Sequence, residues 1–166
     1  MFAQITTNVG SIVLSNLDAG YRLARWHFRT EHEAESVVQE ASEKAFQEFT
    51  AFSTETGRVW FLRIVSRVCA ARAAQTARFD RISGTHHGSR GRDYQRINEV
   101  TQLEEAIRTL PSDLREVLVL RELEGLSYQE LADLMGVSIE TVAIMLSRSR
   151  QTLGQALTEL LVAAEV

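Results

Sequence analysis

The 166-residue sequence has a single cysteine and few of the features that place a protein in a membrane or outside the cell. One cysteine excludes a disulfide framework, and the apolar helical surroundings of Cys69 favour a small buried hydrophobic residue over a redox sensor. Apolar runs are short and interrupted by charges, so no membrane insertion is predicted. The first residues, MFAQITTNVGSIVL, lack the basic start of a secretory signal, and we expect a cytoplasmic protein.

The sequence also lacks the motifs of the common catalytic sites. It contains no glycine-rich phosphate-binding loop, no HExxH motif and no nucleophile elbow. The adjacent His86 and His87 have no cysteine nearby and no carboxylate at helical spacing, so we interpret them as exposed loop residues rather than metal ligands. These absences predict a protein that is not an enzyme and that uses no metal or cofactor.

Apolar residues recur at steps of three and four along the whole chain, and no alternating pattern predicts a β-strand. The fold class is therefore all-α. The first half carries three such patterns. The first ends near Arg29, the second runs from about Glu33 to Phe49, and the third starts after a break at residues 53–57. The residues expected to face inward are Leu14, Leu17, Tyr21, Ala24 and Phe28, then Val38, Ala41, Ala45 and Phe49, then Val59, Trp60, Leu62, Ile64, Val65 and Val68.

A polar, glycine-containing segment divides the chain. Residues 80–96 hold three glycines and one aliphatic residue, Ile82, with no helical period. We predict two small helical domains, residues 1–79 and 99–166, that fold independently and are joined by a flexible linker of residues 80–98.

The second domain contains a predicted helix-turn-helix. Ser127 and Glu130 have the spacing of a capping box, which predicts that a helix starts there. Gly136 is suited to the left-handed conformation that ends such a helix, and Ser138 can cap the next one. The inward stripe expected on that second helix is Ile139, Val142, Leu146 and Leu153. Helix-turn-helix units commonly lay their second helix in the DNA major groove.

Both halves resemble one known family. From Leu103 the chain reads LEEAIRTLPSDLREVLVLRELEGLSYQELADLMGVSIETV, which closely resembles region 4 of sigma-70-family transcription factors, above all the extracytoplasmic-function (ECF) group. In the first half, EAESVVQEASEKAF from Glu33 is similar to the acidic region 2 helix that binds RNA polymerase. VWFLRIVSRVCAAR from Val59 is similar to the helix that faces the −10 promoter element. The resemblance includes both domains in the correct order.

The resemblance implies core RNA polymerase, promoter DNA and an anti-sigma factor as partners. The residues it assigns to polymerase binding are Glu33, Glu35, Gln39 and Glu40. Those it assigns to the −10 element are Trp60, Arg63 and Arg67. The residues expected at the −35 element are Ser138, Glu140, Thr141, Ile144, Arg148, Arg150 and Gln151. At about 100° per residue, the members pointing most directly away from the inward stripe are Thr141, Ile144, Arg148 and Gln151.

Three residues of the first half depart from the family pattern and motivate an alternative function. Ser36 replaces an acid, Arg67 an asparagine and Ala71 an aspartate. The alternative is a sigma-like interaction module or decoy that binds an anti-sigma factor or polymerase without reading DNA. An autonomous repressor is disfavoured, because residues 99–166 hold five basic and twelve acidic residues and neutralise few phosphates. In sigma factors, core polymerase supplies most of the affinity.

Ile144 also departs from the family pattern. It lies in the segment Ala143-Ile144-Met145, where the family usually has Lys-Ser-Arg. Met145 lies toward the flank of the inward stripe and can belong to the core. Ile144 is nearly opposite the stripe, where it can contact a thymine methyl group, leaving Arg148 for guanine or phosphate. It can instead anchor a partner protein as part of an apolar patch with Ala143.

Overall fold

The computed structural model describes residues 2–49, 56–83 and 99–164, and every regular element in these ranges is helical. The helices are α1 (Phe2–His27), α2 (Glu31–Glu48), α3 (Gly57–Ser83), α4 (Glu99–Thr109), α5 (Ser112–Glu122), α6 (Tyr128–Met135) and α7 (Ile139–Ala164). The all-α prediction is confirmed. Within the described ranges, no helix combines the length and apolar character needed to cross a membrane.

The first three helices pack against one another as one unit. α2 begins at a capping box, in which Thr30 Oγ1 accepts a hydrogen bond from the backbone N–H of Glu33 at 3.2 Å and the Glu33 carboxylate accepts one from Thr30 N–H. α1 and α3 approach closely at Gly20, where a Cβ atom would lie 3.0 Å from Cε1 of the buried Phe61. A glycine at this position therefore makes room for the aromatic ring.

The inward stripe of α1 differs from the predicted one at Leu14, which is 71% exposed. Among the residues of α1 whose burial is described, the buried apolar side chains are Val9, Val13, Ala19, Leu23 and Ala24. Because α1 begins at Phe2, its inward stripe also begins earlier than predicted. Leu14 follows Val13 directly and therefore points about 100° away from it.

Cys69 is a buried core residue, as predicted. Its side chain has no exposed surface, and burial raises the pKa of its thiol to about 12. A thiol with that pKa stays protonated at neutral pH and is a poor nucleophile.

The predicted helix-turn-helix is confirmed in its caps and its turn. Ser127 Oγ accepts from the N–H of Glu130 at 3.2 Å, and the Glu130 carboxylate accepts from the N–H of Ser127 at 2.8 Å. Gly136 ends α6 with φ of 67°, in the left-handed region that side chains disfavour. Ser138 Oγ then accepts from the N–H of Thr141 at 3.2 Å and caps α7.

The inward stripe of α7 includes Val142 and Leu146 as predicted, but Ile139 is 41% exposed. Ser149 is buried instead, and its hydroxyl donates to the carbonyl oxygen of Leu114 at 2.8 Å. Around the helix Ser149 lies about 20° from Val142 and Ile139 lies about 20° from Leu146, so angular position does not separate the two residues. Ile139 is the first residue of α7, whereas Ser149 lies further along the helix, where its polar hydroxyl is satisfied by a carbonyl of α5.

The structure also differs from the prediction at the start of the linker between the halves. α3 continues to Ser83, so the first four residues of the predicted linker, 80–83, are helical. Residues 84–98, which include His86 and His87, lie outside the described residues. Among the described side chains, no group of histidine, cysteine, aspartate and glutamate is arranged to hold a metal ion.

The two halves meet at Glu124, between α5 and α6, whose side chain has no exposed surface. Arg22 of α1 donates from Nε to Oε1 at 2.7 Å and from Nη2 to Oε2 at 2.9 Å. Arg58 of α3 donates from Nη2 to Oε2 at 2.7 Å. Burial alone would raise the pKa of Glu124, but the hydrogen bonds and charges of Arg22 and Arg58 together hold that pKa below its usual range. The carboxylate is therefore ionised at neutral pH.

Polar groups of the second half also contact the end of α1. Arg108 of α4 donates to the carbonyl oxygen of Arg25 at 3.0 Å, and Arg115 of α5 donates to that of Trp26 at 2.9 Å. The last carbonyls of a helix have no partner within the helix, and these two arginines satisfy two of them at the end of α1. The Arg108 guanidinium also lies 5.2 Å from the centre of the Trp26 ring, at cation–π distance.

A third polar contact joins the halves around Glu116 of α5, a buried residue. Ser66 Oγ of α3 donates to Glu116 Oε1 at 2.5 Å, and His27 Nε2 of α1 lies 3.2 Å from Oε2. The halves are thus packed together in this structure. Their ability to fold independently stays a prediction.

Removing both cations from Glu124 should destabilise the protein more than removing its charge. Arg22→Met combined with Arg58→Met leaves a buried carboxylate unpaired, so we expect the free energy of unfolding to fall by about 3 kcal/mol. Glu124→Gln leaves behind two arginines that are 53% and 42% exposed and that water can solvate. We therefore expect Glu124→Gln to lower the free energy of unfolding by about 1 kcal/mol. Urea denaturation measures the free energy of unfolding of both variants.

A matched control is Glu48→Gln, which removes the exposed ion pair between Glu48 and Arg67, 2.7 Å apart. Exposed pairs contribute at most about 1 kcal/mol, so its unfolding free energy should stay close to that of the wild type. Equal losses for the double arginine variant and for Glu124→Gln would contradict the role given to the buried charge.

The same contact predicts an acid dependence of stability. Because the pKa of Glu124 is lowered by folding, its stabilisation is complete above the ordinary glutamate pKa of about 4.3 and is lost as the pH falls through the lower folded value. Arginine side chains keep their charge over this range. In urea denaturation between about pH 6 and pH 3, the wild type should therefore lose more stability than Glu124→Gln. Parallel profiles would show that the carboxylate contributes nothing.

Candidate nucleic-acid interface

α7 presents an exposed stripe on the side opposite to its buried residues Val142, Leu146 and Ser149. The exposed residues of this stripe are Glu140, Ile144, Ser147, Arg148 and Gln151. Ser147 and Arg148 are adjacent, the other neighbours lie three or four residues apart, and the stripe extends over about 16 Å of helix. Four of the residues assigned to the −35 element therefore share one face of α7 with Ser147, which the sequence analysis did not single out.

The first turn of α7 is held in place by its cap, which uses two other members of the predicted set. Ser138 and Thr141 share a hydrogen bond between their hydroxyl oxygens at 3.1 Å, and Thr141 is half-buried. Hydrogen bonding from its own backbone N–H, with a further contribution from Ser138, lowers the pKa of Glu140. Glu140 is therefore an ionised acceptor, while Ser138 and Thr141 fix the start of the helix.

The two arginines of α7 differ in their surroundings. Arg150 Nη2 donates to Oε1 of Glu122 at 2.8 Å, an exposed pair that raises the pKa of Arg150. Arg148 is exposed and forms no hydrogen bond or ion pair with the part of the chain that the structure describes. Arg148 is thus the cation of this stripe that is directly available to a phosphate or a base.

The residues assigned to the −10 element lie on one side of α3, at steps of three and four. The ring of Trp60 packs edge-on against Phe49, with ring centres 5.4 Å apart. Arg67 pairs with a glutamate of α2, and Arg63 Nη2 donates to the carbonyl oxygen of Asp133 in α6 at 2.8 Å. Two of these residues therefore contact the end of α2, and the third, Arg63, is bonded to the helix-turn-helix half.

The acidic face of α2 is partly neutralised by other residues of the protein. Glu40 accepts from Arg72 Nη2 at 2.8 Å and lies 3.0 Å from Lys44 Nζ; the Arg72 contact does most to lower its pKa. Glu33 is engaged in the capping box, and Gln39 donates to Glu43 at 3.2 Å. Glu35 is exposed. Of the four residues assigned to polymerase binding, Glu35 has the carboxylate that is most available to a partner protein.

Sequence reasoning missed the polar residues that join the halves. These residues are Arg22, His27, Arg58, Ser66, Glu116 and Glu124. Each is an ordinary polar residue in a helical pattern, and its partner lies far away in the sequence. The separation is 50 residues between Ser66 and Glu116 and 102 residues between Arg22 and Glu124. No local signal marks such a pair.

The fold and the stripe define a class of protein, an all-helical chain whose second half is a helix-turn-helix with an exposed second helix. The sigma-70 region 4 family model matches residues 101–153. The ECF RNA polymerase sigma-E factor of Escherichia coli is 32% identical over 133 residues, covering 70% of this chain and 70% of that protein. The chain belongs to the ECF group of RNA polymerase sigma factors, a family of transcription initiation factors rather than enzymes.

Other relatives agree with this membership. The ECF sigma factor SigE of Mycolicibacterium smegmatis is 28% identical over 159 residues, which cover 86% of this chain and 58% of the relative's length. The sigma factor RpoE of Bartonella quintana, solved in complex with the anti-sigma factor NepR, superposes with a TM-score of 0.76 at 22% identity, covering 91% of this chain and 97% of that one. CnrH, solved in complex with the cytosolic domain of CnrY, gives 0.68 at 23% identity, covering 95% and 94%. At these identities the two structures establish the shared fold.

Proposed function

We propose that this protein binds core RNA polymerase and directs transcription initiation at specific promoters. The observation that carries the proposal is the exposed stripe of α7, which offers an ionised acceptor, an unpaired arginine and an apolar side chain on a capped recognition helix. α7 contacts the −35 element, and α3 contacts the −10 element through Trp60, Arg63 and Arg67. The protein acts in the cytoplasm and carries out no catalysis itself. Membership of the ECF group supports each of these assignments.

The charge of the helix-turn-helix half supports a dependence on polymerase. Residues 99–166 hold twelve acidic and five basic residues, so this half gains little from phosphate neutralisation. Specific contacts from α7 then select the site, while core polymerase supplies the affinity. The acidic face of α2 is the polymerase-docking surface, and Glu35 is one of its exposed charges.

The packed arrangement of the halves is the unbound form of the protein under this proposal. The −10 and −35 elements are about 25 base pairs apart, or about 85 Å of B-form DNA at 3.4 Å per pair. A compact chain of 166 residues has a radius of gyration of about 15 Å and cannot contact both elements at once. Arg63 is also bonded to Asp133. The halves therefore separate at Glu124 when the protein engages polymerase and DNA.

An anti-sigma factor is a further proposed partner. RpoE of Bartonella quintana, which shares the fold, was solved with the anti-sigma factor NepR. A protein that holds the two halves together would keep Arg63 bonded to Asp133 and so keep it from DNA.

Run-off transcription with purified core polymerase tests the proposed function. The wild type should initiate at defined positions, and Arg148→Ala should lower promoter-dependent initiation by about tenfold, because a good arginine contact to a base contributes about 1–3 kcal/mol. Gln155→Ala is the matched control, an exposed residue of α7 one turn beyond Gln151. It should initiate like the wild type.

Two results of this experiment would favour the interaction-module alternative. One is polymerase binding without specific initiation. The other is normal initiation by Arg148→Ala when that variant has lost binding to an anti-sigma factor.

Charge reversal on α2 tests the docking surface. Glu35→Lys should weaken binding to core polymerase by about tenfold and leave the helical circular dichroism and melting temperature unchanged, because the carboxylate is exposed. Glu40→Lys should weaken binding and also lower the melting temperature, because Arg72 and Lys44 lose their partner. Fluorescence anisotropy at several salt concentrations measures the affinity.

The control for charge reversal is Glu159→Lys, an exposed site on α7 far along the chain from α2. Its affinity for polymerase should match that of the wild type. If Glu35→Lys also binds like the wild type, the acidic face of α2 is a solvated surface and not a docking site.

A further inference from the structure

Ile144 is an apolar side chain in the middle of a polar stripe. It is 55% exposed, and its neighbours along the stripe of α7 are Glu140, Ser147, Arg148 and Gln151, all of them exposed. A surface built to bind an apolar groove of a protein would present a contiguous apolar patch. Here the apolar surface beside Ile144 is limited to the small exposed Ala143, and the rest of the stripe carries hydrogen-bonding groups. This arrangement matches the edge of a base-pair stack, where donors, acceptors and one apolar group alternate.

The chemistry of that edge identifies the group that Ile144 can recognise. In the major groove, the exposed edges of the four bases carry donors and acceptors, and the C5-methyl group of thymine is the one apolar feature. An isoleucine has no hydrogen-bonding atom and gains free energy by burying such a methyl group. It also leaves unsatisfied any donor or acceptor that it covers, which disfavours the other bases.

The spacing of the stripe places this contact between two others. Glu140, Ile144 and Arg148 follow at four-residue steps, and each step is about 6 Å along the helix, close to two base-pair steps of about 3.4 Å. The ionised Glu140 can accept from the amino group of a cytosine, and the unpaired Arg148 can donate to a guanine. The three side chains therefore sample neighbouring positions of one groove.

Building on the proposed function, we infer that Ile144 is a specificity-determining residue that reads a thymine methyl group in the −35 element, between the positions read by Glu140 and Arg148. The inference concerns which base is selected. It therefore fails separately from the proposal that the protein is an initiation factor.

The test removes the methyl group from the DNA rather than the side chain alone. Core polymerase carrying the full-length protein is first used to select promoters from a pool of duplexes randomised around the −35 region. In the selected promoter, each thymine of that region is then replaced in turn by deoxyuridine, which lacks only the methyl group. Binding of each duplex is measured with the wild type and with Ile144→Ala. Leu161→Ala is the control, because Leu161 lies on the same helix and is 54% exposed.

One thymine should be sensitive to the replacement. Loss of its methyl group should weaken binding by about fourfold with the wild type and with Leu161→Ala, the effect of exposing one buried methyl group. With Ile144→Ala the thymine and deoxyuridine duplexes should bind equally. Ile144 is exposed, so its replacement should leave the circular dichroism unchanged.

Three results would overturn the inference. They are a selected element without thymine, no position sensitive to deoxyuridine, and a sensitivity that persists in Ile144→Ala. A wild type that selects no sequence at all would overturn the proposed function as well. Loss of an anti-sigma interaction in Ile144→Ala, with normal discrimination of thymine, would assign the residue to a protein interface instead.

Discussion

A carboxylate buried away from water needs cations close to it, and in this protein that requirement holds the two halves in register. Glu124 receives its hydrogen bonds from Arg22, 102 residues away, and from Arg58, 66 residues away. A bidentate arginine contact depends on angle as well as distance, so the halves cannot slide past one another while it persists. An apolar interface of the same size would tolerate such sliding more easily.

The polar contacts of this interface can be replaced by water when the halves separate, as the proposed function requires. The side chains of Arg22 and Arg58 keep 53% and 42% of their surfaces exposed, so water already solvates much of both cations. Separation then exposes one carboxylate and a few carbonyls, which water can hydrate. It also exposes apolar side chains, because the buried core continues from one half into the other. Arg63, held by the carbonyl of Asp133, becomes available at the same time. Under the proposed function, contact between the halves and contact with the −10 element therefore compete for Arg63.

The distance along the sequence between two interacting residues decides whether their contact can be predicted from the sequence. The helix-turn-helix was predictable because its caps and its turn join residues three or four positions apart. The pattern of apolar residues did not predict the burial of Ser149. The hydroxyl of Ser149 is bonded to the carbonyl of Leu114, which lies 35 residues away in the sequence. The pattern could not reveal that Glu40 is bonded to Arg72, 32 residues on, or that Glu124 is buried. The polymerase surface predicted from an acidic stretch is therefore less charged in the structure than in the sequence.

The end of α1 has a consequence for how the protein is synthesised. Its final carbonyls accept from Arg108 and Arg115, which follow them by 83 and 89 residues. At a synthesis rate of about 5–20 residues per second, those arginines emerge from the ribosome several seconds after α1 itself. Until then water must occupy the terminal carbonyls. The end of α1 in the nascent first half is therefore hydrated until residues 108–115 of the second half emerge.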